Sequence, residues 1–479
     1  MANQIPIKDV TPASGGNGDP KGGPEPFNFY KKQEKIQPKW IEGRFQKLRD
    51  FTVLMTMGVY LVTPWLSWQD KPLVRFDLPG RRFDIFGMTF FPEDFFFLSL
   101  LLGIAAFGLL FFTNLLGRVF CGYVCPQTVW TRFFVRIERL TEGDRGARLK
   151  LDNAPMSANK LLRRTAKHLA WLFLALLTAA TFVGYFSPIR ELIPRIFTFD
   201  LGGWEIWWLF FFTTATYANA GWMREQVCLY MCPYARFQSV MFDNDTLVVS
   251  YDPGRGEPRG RGQKRRELSD ARKNLGDCID CGLCVQVCPT GIDIRDGLQY
   301  ECIACAACID ACDEVMESIE KPRGLIRYTT EHALTGTPTQ VIRPRLIGYG
   351  IVFGALATIF LTGLLMRVPI AIDVIRDRNA LFQETADGRI ENVYTLKIYN
   401  KSQQGHAFRI AIEAPEGIGY RGPAIIVLPA AGKESVPVSL SIDPLYTKPQ
   451  NVNVHFLLTA EDDPQLTKRV ESRFISVGR

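Results

Sequence analysis

Eight cysteines between residues 278 and 312 constrain this chain more than any other feature in it. They read Cys278-x2-Cys281-x2-Cys284-x3-Cys288-Pro289, then Cys302-x2-Cys305-x2-Cys308-x3-Cys312. Thiolates are the ligands of iron–sulfur clusters, and three cysteines spaced three apart curl a tight loop round one cubane. In a tandem run the fourth cysteine of each quartet reaches across to the other cubane. One [4Fe–4S] cubane is therefore expected on Cys278, Cys281, Cys284 and Cys312, and the other on Cys302, Cys305, Cys308 and Cys288. Zinc is the competing reading, but its ligands usually come as separated Cys-x2-Cys pairs. Asp313 stands after Cys312 where Pro289 stands after Cys288. With Glu314 it brings negative charge to one cubane, which is expected to lower that cluster's potential.

All twelve cysteines lie between Cys121 and Cys312. That confinement points to metal or redox use rather than disulfide stapling. The four outside the tandem run form two copies of one motif, Cys121-Gly-Tyr-Val-Cys125-Pro126 and Cys228-Leu-Tyr-Met-Cys232-Pro233. Cysteines four apart share a helix face, and the following proline pushes the second one towards extended backbone. Four converging thiols would suit Cu(I), zinc or a cluster, with Met223 and Met231 as further soft ligands. The bland alternative is four small apolar residues buried at helix ends.

The chain is 479 residues long with net charge +7, too long for one core. No signal peptide is read at its start, and residues 1–47 read as a disordered arm. Five apolar runs are long enough to span a bilayer as helices: 51–68, 95–116, 166–186, 204–222 and 346–366. Lys and Arg crowd the arm, the 117–165 segment and the 223–344 segment, which places these in the cytoplasm and the residues after Arg367 in the periplasm. The basic excess is thus explained by topology and membrane lipid, and nucleic acid is not expected as a partner. The expected domains are the arm at 1–47, a four-span membrane domain at 48–245, a cytoplasmic ferredoxin-like domain at 246–343, a fifth span at 344–368 and a periplasmic domain at 369–479. In the last, apolar and polar residues alternate at 392–398, 407–412, 424–427, 436–442 and 452–459, arguing an immunoglobulin-like β-sandwich. The turns FDLPG at 76–80 and FDLGG at 199–203 suggest an internal repeat within the first four spans. His168, at the start of the third span, is the one place an axial haem ligand could sit. No dinucleotide-binding glycine motif is present, so electrons are expected from an outside, cytoplasmic donor.

Taken together, CGYVCPQTVW, CLYMCPYARFQ, the tandem cysteine run and the strand-rich end resemble the cytochrome c oxidase accessory protein family CcoG, also called FixG or RdxA. The resemblance covers nearly all of the chain after the arm. The Cys-x3-Cys-Pro motif alone is shared with other membrane ferredoxins, including those that feed nitrate and nitrous-oxide reduction. What the resemblance implies is a bacterial inner-membrane cupric reductase that supplies Cu(I) to a copper-transporting ATPase and to assembly of the cbb3-type oxidase. It carries over to the eight cluster cysteines and to Cys121, Cys125, Cys228 and Cys232 as the copper-facing thiols. A homodimer is compatible with it. Two other readings stand beside it: a quinol-linked electron relay, and a redox-sensing assembly scaffold with no enzymatic step.

Overall fold

A computed structural model describes residues 36–68, 71–260, 275–377, 380–443 and 450–476. The expected disorder of the arm up to residue 35 falls outside the described residues. The chain divides into two compact units, one made of 1–62, 102–184 and 189–356, the other of 63–101, 185–188 and 357–479.

Among the described residues ten α-helices precede the cysteine run: α1 (Arg44–Val62), α2 (Phe95–Leu116), α3 (Val119–Tyr123), α4 (Pro126–Glu142), α5 (Arg145–Asn153), α6 (Ala158–Gly184), α7 (Ile189–Thr198), α8 (Gly203–Thr216), α9 (Pro233–Val240) and α10 (Pro253–Gly256). The run itself lies on two loops, each leading into a helix, Leu283–Gln286 and Ala307–Ser318. Beneath the cysteines, strands Val248–Tyr251 and Ile326–Thr329 pair antiparallel and bury Val249, Leu325 and Ile326 with Ile309 and Met316. A final long helix, Pro344–Leu365, follows.

Five spans were expected; among the described residues three helices are long and apolar enough to cross a membrane, Pro92–Leu116, Ala158–Gly184 and Pro344–Leu365. The first expected run fails because the first turns of α1 carry Arg44, Lys47, Arg49 and Asp50, and Pro64 sits in the turn beyond its end. Its apolar part covers only about 18 Å at about 1.5 Å per residue, against a hydrocarbon core of about 30 Å. The fourth fails because α8 has 14 residues before the backbone changes to π-helix over Tyr217–Met223. It returns packed on α6 instead, where Ala179, Ala180 and Val183 bury Leu192 and Leu209. Small residues on α6 let the two backbones approach closely. Three spans still make this a multi-pass membrane protein.

The core of this first unit includes charge. Glu138 on α4 has no exposed surface and faces Arg148 at 2.9 Å, Arg224 at 2.8 Å and Lys167 at 3.8 Å. Lys167 also reaches Glu142 at 2.7 Å, and the Trp171 ring lies under both Lys167 and Arg224. Such a group is tolerated only because opposite charges meet inside it.

The second unit holds two open antiparallel sheets over one apolar core. Strands occupy all five expected segments, and Ile370–Arg376, Gln383–Glu384, Ile418–Arg421 and Thr467–Ser476 join them. An immunoglobulin-like β-sandwich was expected here; the strands form two sheets that stay open rather than a closed or curled sandwich. The sheets, five-stranded and four-stranded, share no ladder, so each keeps its own edges. Ile390–Asn400 shows the two-residue rhythm that drives this packing: Tyr394, Leu396 and Ile398 are wholly buried, and Thr395 and Lys397 between them are not. In the same unit Asp94 binds both Lys401 and Arg367 at 2.7 Å.

Candidate metal centre

The two Cys-x2-Cys-x2-Cys segments are curled the same way. Each has left-handed residues at matching places, Asp280 (φ 53°) and Gly282 (φ 67°) in the first, Ala304 (φ 50°) and Ala306 (φ 59°) in the second. Alternating handedness turns successive backbone N–H groups to one side, the usual way a loop cradles an anionic group. Three of the four are not glycine, and left-handed backbone costs each of them roughly 1–2 kcal/mol. A loop that holds such strain at its cysteines is shaped for what it grips.

Two small cavities sit inside these loops. Cys278, Cys281, Cys284 and Cys312 line one, and Cys288, Cys302, Cys305 and Cys308 line the other, with Cys284 touching both. Arg295 borders the first cavity, held by Asp293 at 2.6 Å and by Asp280. Burial pushes the Cys302 thiol up to about 12, against a backbone N–H of Ala304 that pulls it down. Burial likewise pushes Cys284 up to about 11, and Cys312 up to about 12 with help from Cys284, Cys278 and Asp313. Free thiols here keep their protons, so metal must displace them. Four sulfurs around each cavity, with a guanidinium to offset negative charge, fit a pair of cubanes.

The Cys-x3-Cys-Pro motifs are built alike. Cys125 and Cys232 are both extended, and Pro126 and Pro233 open α4 and α9. Each motif closes on a wide π-type bond, Cys125 N–H to the Phe120 carbonyl at 2.9 Å and Cys232 N–H to the Val227 carbonyl at 2.8 Å. All four thiols are half-buried. Burial pushes Cys121 up to about 12, followed by repulsion from Cys125, and Cys228 up to about 12 on the same grounds. Met231 is largely exposed. Among the described residues no three His, Cys, Asp or Glu side chains converge on a single-ion site, so the four thiols are neighbours rather than a formed cage.

What joins the motifs to the cluster loops was invisible in the sequence. Cys121 packs against the cluster that contains Cys305, Ile303, Ala307 and Val287. A Cβ on Gly122 would lie 2.8 Å from the Ile303 carbonyl oxygen, 2.9 Å from that of Ala304 and 3.0 Å from Cys305 Cα. Only glycine lets the two backbones meet here. Arg118, 4% exposed, donates to the Tyr300 and Cys302 carbonyls on the cluster loop and to the Ala235 carbonyl on α9. Gln238, fully buried on α9, has its side-chain oxygen 3.6 Å from Cys121 Sγ, while its amide donates to Thr113 and Gly117. Asp310, between Cys308 and Cys312, accepts the Phe45 and Gln46 backbone N–H groups at 3.1 and 2.7 Å and so anchors the start of α1. A carboxylate at a helix start suits the helix dipole. The one signal in the sequence was the glycine of CGYVC, and a lone glycine is weak evidence. His168 Nδ1 lies 2.8 Å from the Tyr217 hydroxyl.

Comparison with known proteins follows the same division of the chain. A 4Fe-4S dicluster domain model matches residues 223–331, a 4Fe-4S binding domain model matches 97–141, and a model for the IG-like fold at the C-terminus of FixG matches 360–477. The protein accordingly carries two [4Fe–4S] clusters. The nitrogen fixation protein FixG of Rhizobium meliloti is 39% identical over 425 residues, 80% of this chain and 80% of that protein. Protein RdxA of Cereibacter sphaeroides is 38% identical over 421 residues, 84% and 88% of the two chains. A crystal structure of a FixG-related protein from Vibrio parahaemolyticus is 33% identical, covering 22% of this chain and 96% of that one at a TM-score of 0.21. With identity at this level over four-fifths of its length, the chain belongs to the FixG/RdxA family of membrane iron–sulfur oxidoreductases.

Proposed function

We propose that the protein is a cupric reductase, converting Cu(II) to Cu(I) for assembly of a cbb3-type cytochrome c oxidase. One observation carries the reading: Cys121 and Gly122 pack directly on the loop of Cys305. Each cubane supplies one electron when bound, which matches the single electron taken up as Cu(II) becomes Cu(I). In this reading Cys278, Cys281, Cys284 and Cys312 hold one cubane, and Cys302, Cys305, Cys308 and Cys288 the other. Cys121, Cys125, Cys228 and Cys232 meet copper as substrate, and soft thiolate favours the reduced ion. Arg118 ties α9 to the cluster loop, and Gln238 on α9 meets the Cys121 thiol.

The cluster loops are assigned to the cytoplasmic side, where thiols stay reduced and where Lys and Arg concentrate. Residues 369–479 are assigned to the periplasm, as a docking module. A cytoplasmic one-electron donor feeds the clusters, and the copper-transporting ATPase and oxidase assembly factors receive Cu(I).

The test uses anaerobic full-length protein, reduced and then freed of reductant. Mixed with Cu(II) and a Cu(I)-specific chelator, it should yield about two Cu(I) per chain, one per cluster. Cys121→Ser should slow the yield at unchanged iron content, and Cys305→Ser should remove it. Undiminished copper reduction in both variants would sink the proposal.

A further inference from the structure

A cavity of about 120 Å³ lies within the first unit, between the loop after Cys288 and the second Cys-x3-Cys-Pro motif. Cys228 lines it. So do Lys39, Arg49, Arg132 and Arg224, against one carboxylate, Glu225.

Two of these cations are unusual. Arg49 is 6% exposed, and its one side-chain partner among the described residues is the neutral Gln46 oxygen. Its Nε makes no hydrogen bond. Arg132, which does have Asp50 at 2.8 Å, stands close enough to Arg49 for the two to repel. Arg224 is 4% exposed and has a strained backbone at φ 44°. Its Nη2 pairs with Glu138 at 2.8 Å, and its Nη1 has no hydrogen-bond partner among the described residues. A buried guanidinium without an anion is costly, and strain of this kind persists where the surrounding structure imposes it. Arg49, with no carboxylate partner among the described residues, and the one open edge of the Arg224 guanidinium point to a place for an anion. Arg132 and Arg224 already carry Asp50 and Glu138, so Arg49 is the cation in this wall that would repel a bare Cu(II) ion and draw an anion.

We propose that this cavity receives copper as a small anionic carboxylate chelate, its carboxylates paired with Arg49 and Arg224 and its metal presented to Cys228. The inference rests on the cupric reductase reading for its metal, and on the cavity alone for its charge.

Two tripodal complexes of similar shape and opposite charge separate the two. Binding of copper(II)–nitrilotriacetate, net charge −1, and of copper(II)–tris(2-aminoethyl)amine, net charge +2, is measured on the oxidised full-length holoprotein by equilibrium dialysis. The anionic complex should bind at least tenfold more tightly. Arg49→Gln should lose most of that preference at unchanged iron content, and Arg49→Lys should regain part of it. Equal binding of the two complexes by the unaltered protein, or an unchanged ratio in Arg49→Gln, would overturn the anion site. If the anionic complex binds selectively but reduced protein never converts it to Cu(I), the site stands and the reductase reading falls. If both complexes are bound and reduced alike, the reductase reading stands and the anion site falls.

Discussion

Gly122 is the residue on which the junction turns. The atoms that a side chain there would strike are backbone carbonyls and a Cα, which cannot rotate away as a side-chain tip could. Gly122→Val should part Cys121 from the Cys305 loop and slow copper reduction more than tenfold. The cluster spectrum from the Cys278 quartet should remain, as low-temperature electron paramagnetic resonance would show. The thiols themselves make a second prediction. A raised pKa keeps a thiol neutral, and Cys121 and Cys228 are pushed up to about 12 from 9.0. At pH 8 only about one in 10⁴ of each would be thiolate, against about one in ten for an ordinary cysteine. Alkylation of metal-free protein by iodoacetamide, followed by mass spectrometry, should therefore be slow at these two sites and climb about tenfold per pH unit. Fast labelling at pH 8 would show that the motif is not buried as described. Reading residues from sequence worked for the ligands, because cysteine spacing has few physical meanings. It failed for Arg118, counted only as one of many basic residues near a membrane. Its role as a buried tie depends on carbonyls more than a hundred residues away.

At the scale of elements, α4 organises the membrane side of the first unit. It starts at the proline of one motif and carries Glu138, the wholly buried carboxylate shared by Arg148, Arg224 and Lys167. Glu138→Gln keeps the shape and removes the charge, leaving three buried cations with only Glu142 between them. Breaking a buried pair this way costs about 3–5 kcal/mol. The expected result is a large drop in thermal midpoint in detergent, with early loss of iron. A midpoint within a degree or two of the parent would show that water reaches the cluster. The turn from α8 into π-helix has a related consequence, since it places Arg224 at the end of one wide turn and Cys228 on the next. Hydrophobic runs at 51–68 and 204–222 looked like spans because hydropathy counts side chains. It does not register where a charged first turn or a change of helix type shortens the usable length.

At the scale of the whole molecule, holoprotein made without oxygen should contain about eight iron atoms and eight sulfides per chain. Two interacting reduced clusters should give a broadened low-temperature resonance, and preparations with half that iron at full occupancy of the fold would remove one cubane. Cysteine spacing, alternation at the C-terminal end and three of the apolar runs were legible in the sequence alone. Each is a local pattern whose physical cause, ligand reach, strand pleat or bilayer thickness, lies within a few tens of residues. The tertiary structure alone decided that two expected spans are too short and that the two sheets stay open. It alone brought Gly122 against Cys305 and left Arg49 and Arg224 facing one cavity. Those outcomes depend on contacts between segments far apart in the chain, and no local pattern encodes which buried cation will find a carboxylate and which will not.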